Sequence, residues 1–201
     1  MIETNGRKII TDPGSYTVEE QIKEKNINLI LITHEHGDHL HIESLKKVLV
    51  NNPSAEVITN NGVGKLLDEA GIKYEILKDK VKNKILGVDL EAHDCKHEEI
   101  FEEFGQVQNT AYFIDERFFY PGDSFYNPGK PVEILALPVA GPWARVKEAT
   151  KYALAIKPKF CFPVHDGMLN SFGASHKVPE LFLTKAGITF KNFEDKKEEE
   201  F

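Results

Sequence analysis

At 201 residues, 41% of them hydrophobic and 28% charged, the chain has the make-up of one soluble globular domain and is too short for two comfortable cores. A formal charge of −7 argues against a general nucleic-acid binder, because a phosphate backbone needs a basic face. No apolar run reaches the roughly 18 residues of a membrane span and no signal-peptide core opens the chain, so a cytoplasmic protein is expected, with Cys95 and Cys161 as unpaired thiols.

Residues 1–4 and 7–11 read as strands around Asn5-Gly6, a two-residue hairpin signal. The first arm is shorter than a usual strand of roughly 5–6 residues, so the first edge strand is expected to be missing or shortened. "TVEEQIKEK" reads as a helix with Thr17 as N-cap and Glu20 closing a capping box. "INLILIT" is a continuous apolar run suited to a strand buried on both faces. A His-rich loop follows, then a helix over "IESLKKVLV", a strand "AEVIT", and a helix "NGVGKLLDEAG" stopped by Gly71.

Residues 72–92 turn to strands, with "GVDLEA" alternating into His93. The segment "HDCKHEEIFEEFGQ" has no clean period and reads as a long loop. "NTAYFI" and "RFFYPG" are strands joined by a tight Asp-Glu turn, and "VEILALPVA" is a further buried strand. After Trp143, "ARVKEATKYALAI" is helical, "KFCFPVH" is a strand, and residues 178–186 form a helix. Residues 1–193 therefore read as one domain with no internal linker or repeat, and residues 194–201 as a charged, solvated tail. This order suits two sheets packed together with helices outside, an α/β architecture.

The chemistry is concentrated in "THEHGDHLH". His34 and His36 are one residue apart in an extended turn, so both rings can face one side. Asp38 and His39 are adjacent and must point differently, which suits two separate ions. Imidazole with carboxylate selects zinc, manganese or iron rather than calcium. A solvated loop that merely happens to be rich in histidine would need no help from elsewhere. Here further donors stand at other strand ends: His93 after "VDLEA", Asp123 after "RFFYPG" and His165 after "KFCFPV", where neighbouring strands can meet over one sheet edge.

"THEHGDH", "PGDS" and "PVHDG" together resemble the metallo-β-lactamase superfamily of metal-dependent hydrolases, from "IITDPGS" to the end of "PVHDG". "LPVAGPW" brings the chain nearest to the small L-ascorbate-6-phosphate lactonase-like branch. The resemblance implies a four-layer αββα sandwich of two mixed sheets flanked by helices. It implies that His34, His36 and His93 hold one divalent metal, that Asp38, His39 and His165 hold a second, and that Asp123 bridges them. It further implies that Asp12 in "TDPG" orients a ligand imidazole, although Asp12 beside Pro13 and Gly14 also reads as a simple turn-former. His97 is the alternative third histidine, or else a substrate-contacting or proton-shuttling residue; His93 is preferred because it ends a strand.

The activity implied is hydrolysis of an ester, lactone, amide or phosphodiester of a small molecule by a metal-bound hydroxide. Zinc or manganese is expected, iron is allowed, and Asp38 and Asp123 are able to accept a proton from the attacking water. Phe101, Phe104, Phe125, Tyr126, Trp143 and Arg145 are candidate pocket walls; Trp143 would either stack on a substrate ring or anchor the following helix. His41 and His176 read as surface histidines. A mononuclear-iron persulfide oxygenase, or a phosphodiesterase or nuclease, is the alternative activity. The partner expected is a small molecule rather than nucleic acid or a membrane, with homo-oligomerisation left open.

Overall fold

The computed structural model describes residues 1–193 and 198–201; residues 194–197, half of the expected charged tail, lie outside the described residues. The first sheet contains β1 (Ile2–Thr4), β2 (Arg7–Thr11), β3 (Ile27–Leu31), β4 (Glu56–Thr59) and β5 (Glu75–Ile76), side by side in chain order. Asn5 and Gly6, with φ of 49° and 69°, make the left-handed pair that turns β1 back on β2. From β2 onward every pairing is parallel, so each connection crosses over. The crossovers carry α1 (Val18–Gln21), α2 (Ile42–Asn51) and α3 (Asn61–Ala70).

The second sheet runs, again in chain order, through β6 (Lys82–Ile85), β7 (Val88–Lys96), β8 (Gln108–Ile114), β9 (Phe118–Tyr120), β10 (Ile134–Pro138), β11 (Phe160–Val164) and β12 (Thr189–Phe190). Pairings from β6 to β9 are antiparallel and those from β9 to β12 are parallel. Helices α4 (Val146–Ile156) and α5 (Gly173–Lys185) supply the crossovers in the parallel half.

The two-residue period of the strands decides the layers. Leu29 and Leu31 of β3 point inward and pack with Ile9, Ile58, Leu90 and Tyr112, the core between the sheets. Ile30 and Ile32 point the other way, onto Leu45 and Val48 of α2 and Val63 and Leu67 of α3. On the far side Phe113, Phe119, Leu135 and Cys161 meet Tyr152 and Ala153 of α4 and Leu183 of α5. Helix, sheet, sheet, helix is the expected four-layer order. The Tyr112 hydroxyl ties the sheets together, donating toward the Ile32 and Ile58 carbonyls at 3.0 and 3.3 Å.

Three elements differ from the sequence reading. Helix α1 ends at Gln21 and Thr17 makes no side-chain cap, so the expected capping box does not form. The buried Gln21 amide instead donates to Gly14 O at 2.7 Å and Ser44 Oγ at 3.1 Å, and Asn26 at φ 63° turns the chain into β3. Helix α5 starts at Gly173, five residues early, and runs through Pro179. Burial of His176, Pro179 and Leu183 along one stripe holds that first turn down, so His176 is not a surface residue; its Nε2 lies 2.9 Å from Asp166 Oδ2. Strand β7 extends to Lys96, through what reads as loop, because residues 90–96 pair in unbroken register with β8.

Candidate metal centre

The ends of β2, β3, β7, β9 and β11 meet over one edge of the sandwich. After β3 the chain curls tightly: His39 N and Leu40 N donate to His36 O at 2.9 and 2.8 Å, and Ser15 N donates to Gly37 O at 3.0 Å. The curl turns His34, His36, Asp38 and His39 toward a common space. Gly14 makes this approach possible, since a Cβ there would stand 1.6 Å from the Asp38 carbonyl oxygen.

Three clusters of donor atoms result, each with its ligand atoms within 4.8 Å of one another: His34, His36 and His97; His34, His39 and Asp123; Asp38, His39 and His165. His34 Nε2 lies 3.1 Å from His36 Nδ1, and His39 Nε2 lies 3.0 Å from His165 Nε2. Asp123 is the centrepiece. Its Oδ2 lies 3.2 Å from His97 Nε2 and 3.0 Å from His165 Nε2, and its Oδ1 lies 3.1 Å from His39 Nε2. Asp38 Oδ2 stands 3.3 Å from His165 Nε2.

The opposite nitrogen of nearly every ring is already engaged. His39 Nδ1 faces Asp12 Oδ2 at 2.7 Å, His97 Nδ1 faces the Glu98 carbonyl at 2.6 Å, and His165 Nδ1 faces the Ala140 carbonyl at 2.7 Å. His34 Nδ1 lies 3.0 Å from Thr33 Oγ1, whose hydroxyl donates to Asp12 at 2.8 Å. Fixing the proton on that side leaves the Nε2 lone pair pointing inward, the tautomer a metal ligand needs. Asp12 thus holds the His39 ring rather than merely forming a turn: it also accepts from Thr33 N and from the Tyr120 hydroxyl, both at 2.7 Å.

Charge in the cluster is strongly redistributed. Burial disfavours a charged His39, yet the Asp12 and Asp123 carboxylates outweigh it and hold its pKa well above the ordinary imidazole value. Burial likewise opposes charge on His165, but hydrogen bonds to Asp123 and Asp38 raise its pKa to about 9. Asp123, which burial would push up, is held well below the usual carboxylate range by His39, His165 and His97. Burial and the neighbouring His39 keep His34 neutral, and burial and His97 lower His36. The donors fit divalent metal ions: imidazole nitrogens face one another at 3.0–3.1 Å, and the buried Asp123 Oδ1 accepts no hydrogen bond among the described residues.

Among the ten residues singled out in the sequence for the site, His34, His36, Asp38, His39, His97, Asp123 and His165 lie together, with Asp12 and Trp143 behind them. His93 does not. It stands within β7, on the outer face and well short of the strand end at the cluster, where Nε2 lies 2.9 Å from Glu91 Oε1 and the ring packs against Phe119 and Tyr126. Because β7 runs on to Lys96, the strand end that reaches the cluster is followed by His97, and His97 rather than His93 joins His34 and His36. Trp143 is not available to stack on a substrate ring, since it is 7% exposed and its indole Nε1 donates to Asp123 Oδ2 at 2.9 Å.

Supporting residues escaped the sequence reading. Asn109 accepts from Asp123 N at 3.1 Å and donates to Pro121 O at 2.9 Å, fixing the loop that carries Asp123. Asn60 and Thr33 join the two sheets beneath the cluster, with Asn60 Nδ2 donating to Thr33 O at 2.7 Å and to Thr110 Oγ1 at 3.1 Å. Only "PGDS" carries a signal of this packing: a Cβ on Gly122 would stand 2.4 Å from Asn109 Oδ1.

The beta-lactamase superfamily domain matches residues 1–165. Protein Rv0786c of Mycobacterium tuberculosis is 28% identical over 175 residues, covering 84% of this chain and 80% of its own. A protein of Aeropyrum pernix named UPF0173 metal-dependent hydrolase is 26% identical over 212 residues, covering 90% of this chain and 83% of its own. Igni18, a metallo hydrolase of Ignicoccus hospitalis, superposes with a TM-score of 0.71 at 16% identity, over 94% of this chain and 88% of its own, a likeness of fold. The domain match singles out no lactonase-like branch, but it spans the first sheet, the second through β11 and every residue of the cluster through His165: the chain belongs to the beta-lactamase superfamily.

Proposed function

We propose that the chain is a metal-dependent hydrolase of small molecules with a dinuclear centre. His34, His36 and His97 would hold one ion, Asp38, His39 and His165 the other, and Asp123 both. The observation that carries this reading is the pair of facing imidazole nitrogens, 3.1 Å apart at His34 and His36 and 3.0 Å apart at His39 and His165. With the outer nitrogens of His39 and His165 committed to Asp12 and the Ala140 carbonyl, their facing Nε2 atoms repel one another unless a proton or a cation stands between them. The names of its relatives, metal-dependent hydrolase among them, support the same class.

Bound ions of this kind acidify a water and polarise a carbonyl or phosphoryl oxygen, and zinc, manganese or iron suits the donor set. The chain's own residues do the rest. Asp12, Glu98 O and Ala140 O hold three rings in one tautomer. Asp38, only half-buried and kept ionised by its hydrogen bond to His165, is placed to take the proton of the attacking water. Asp123 is buried, and with Trp143 donating to it, it keeps one oxygen oriented. No seryl or cysteinyl nucleophile is needed, so esters, lactones, amides and phosphodiesters are the substrate classes.

Elemental analysis of freshly purified protein, with hydrolysis assayed after loading with Mn²⁺ or Zn²⁺, tests the proposal. Two ions per chain and turnover of at least one such bond are expected. Protein that retains no metal and cleaves none of these bonds would sink it. Oxygen uptake on a persulfide by the iron-loaded protein, without hydrolysis, would favour the oxygenase alternative.

A further inference from the structure

His97 opens a loop, residues 98–106, that returns to its own starting point: His97 N donates to Val107 O at 3.2 Å and Gln106 Nε2 donates to His97 O at 3.3 Å. Within it Phe104 N donates to Phe101 O at 2.9 Å, closing a turn with Glu102 at φ 47°. The two rings on this turn are 69% and 71% exposed. A single exposed apolar side chain needs no explanation, but two phenylalanines presented on one tight turn forgo burial that stabilises by roughly 1.5–3 kcal/mol each.

Their position gives them a use. A Cβ on Gly105 would stand 3.7 Å from His36 Cε1 and 2.6 Å from Ile100 Cδ1, so the base of the turn lies directly against a proposed metal ligand. One Cα–Cα step separates Phe104 from Gly105, which puts the Phe104 backbone within about 9 Å of the His36 ring. Charge narrows the occupant. Residues 98–106 include Glu98, Glu99, Glu102 and Glu103 and no lysine or arginine. Glu98 is engaged by Phe125 N at 3.0 Å, while Glu99, Glu102 and Glu103 are exposed. An anionic group held against the exposed carboxylates of this loop, rather than on the ions, is repelled.

Resting on the hydrolase reading, we propose that the Phe101–Phe104 turn is a substrate clamp that binds an apolar, uncharged or cationic portion of the substrate next to the scissile bond. This favours esters, lactones or amides with a fatty or aromatic arm over phosphodiesters and other anions. Specificity resides in the turn, and bond cleavage in the metal cluster.

The test uses metal-loaded protein, wild type and Phe101→Ser/Phe104→Ser. Both rings stand largely in water, so the double variant is expected to fold. Binding of neutral N-octylacetamide and of anionic octanoate is measured by calorimetry, alongside hydrolysis of p-nitrophenyl acetate and octanoate. Expected are tighter binding of the amide than of octanoate, amide binding weakened about tenfold or more in the variant, and a similar fall in the octanoate-to-acetate ratio of kcat/KM. Equal amide binding by both proteins, no binding by the wild type, or attachment only to lipid vesicles would overturn the clamp. If neither ester is cleaved while amide binding still depends on the two rings, the hydrolase reading fails and the clamp stands.

Discussion

The indole Nε1 of Trp143 donates a 2.9 Å hydrogen bond to Asp123 Oδ2, tying the chain's single tryptophan to the carboxylate at the middle of the cluster. Trp143 also stands edge-on to His97, with ring centroids 5.9 Å apart. Its fluorescence should therefore respond when Zn²⁺ or Mn²⁺ is titrated into metal-free protein. Trp143→Phe, which keeps an aromatic side chain there and removes the donor, should weaken metal binding by about tenfold, read by competition with a chromogenic chelator. Unchanged affinity would mean that the hydrogen bond only fills space.

Asp12 and His39 pair at 2.7 Å, with both side chains buried. Asp12→Asn removes the carboxylate that holds the Nδ1 proton, and should cost roughly 10–100-fold in affinity for the ion that His39, Asp38 and His165 would hold. Retention of two ions at wild-type affinity would refute the role given to Asp12.

His93 and His97 should separate cleanly. His97→Ala should lose about one ion per chain by elemental analysis. His93→Ala should keep the wild-type metal content and instead lower stability by about 1–3 kcal/mol, because Glu91 loses a buried partner. The reverse pattern would return His93 to the ligand set.

Metal binding and pH should be linked with a definite sign. In metal-free protein the raised values of His39 and His165 favour the folded state: their contribution is complete below the ordinary value of 6.5 and is lost as pH rises through about 9 for His165. The lowered values of His34 and His36 act below 6.5, where the unfolded chain takes up protons that the folded chain refuses. Thermal stability of metal-free protein should thus peak near pH 6.5 and fall by a few degrees toward pH 9. Apparent metal affinity should rise over that same upper interval, since His39 and His165 must give up protons to bind. A melting temperature flat across pH 6.5–9 would contradict the assignment.

Sequence pattern carries furthest where the physics is local. The continuous apolar run of β3 specifies a strand buried on both faces, because its alternate side chains must each meet a core. Asn5-Gly6 specifies a hairpin because both residues tolerate positive φ. The crowding of His34, His36, Asp38 and His39 just beyond β3 marks a candidate metal-ligating loop, because neither packing nor solvation calls for four such donors in six positions.

Long-range pairing decided the rest. Whether His93 or His97 completes the cluster depends on how far β7 stays in register with β8: the two have the same strand parity, and pairing through Lys96 carries the strand end past His93 to His97. Trp143, Asn109 and Asn60 become supporting residues only once distant segments close on Asp123 and Thr33, contacts with no periodic trace along the chain. The donor types were set by the sequence alone; which of them share a centre was decided by where the strands end.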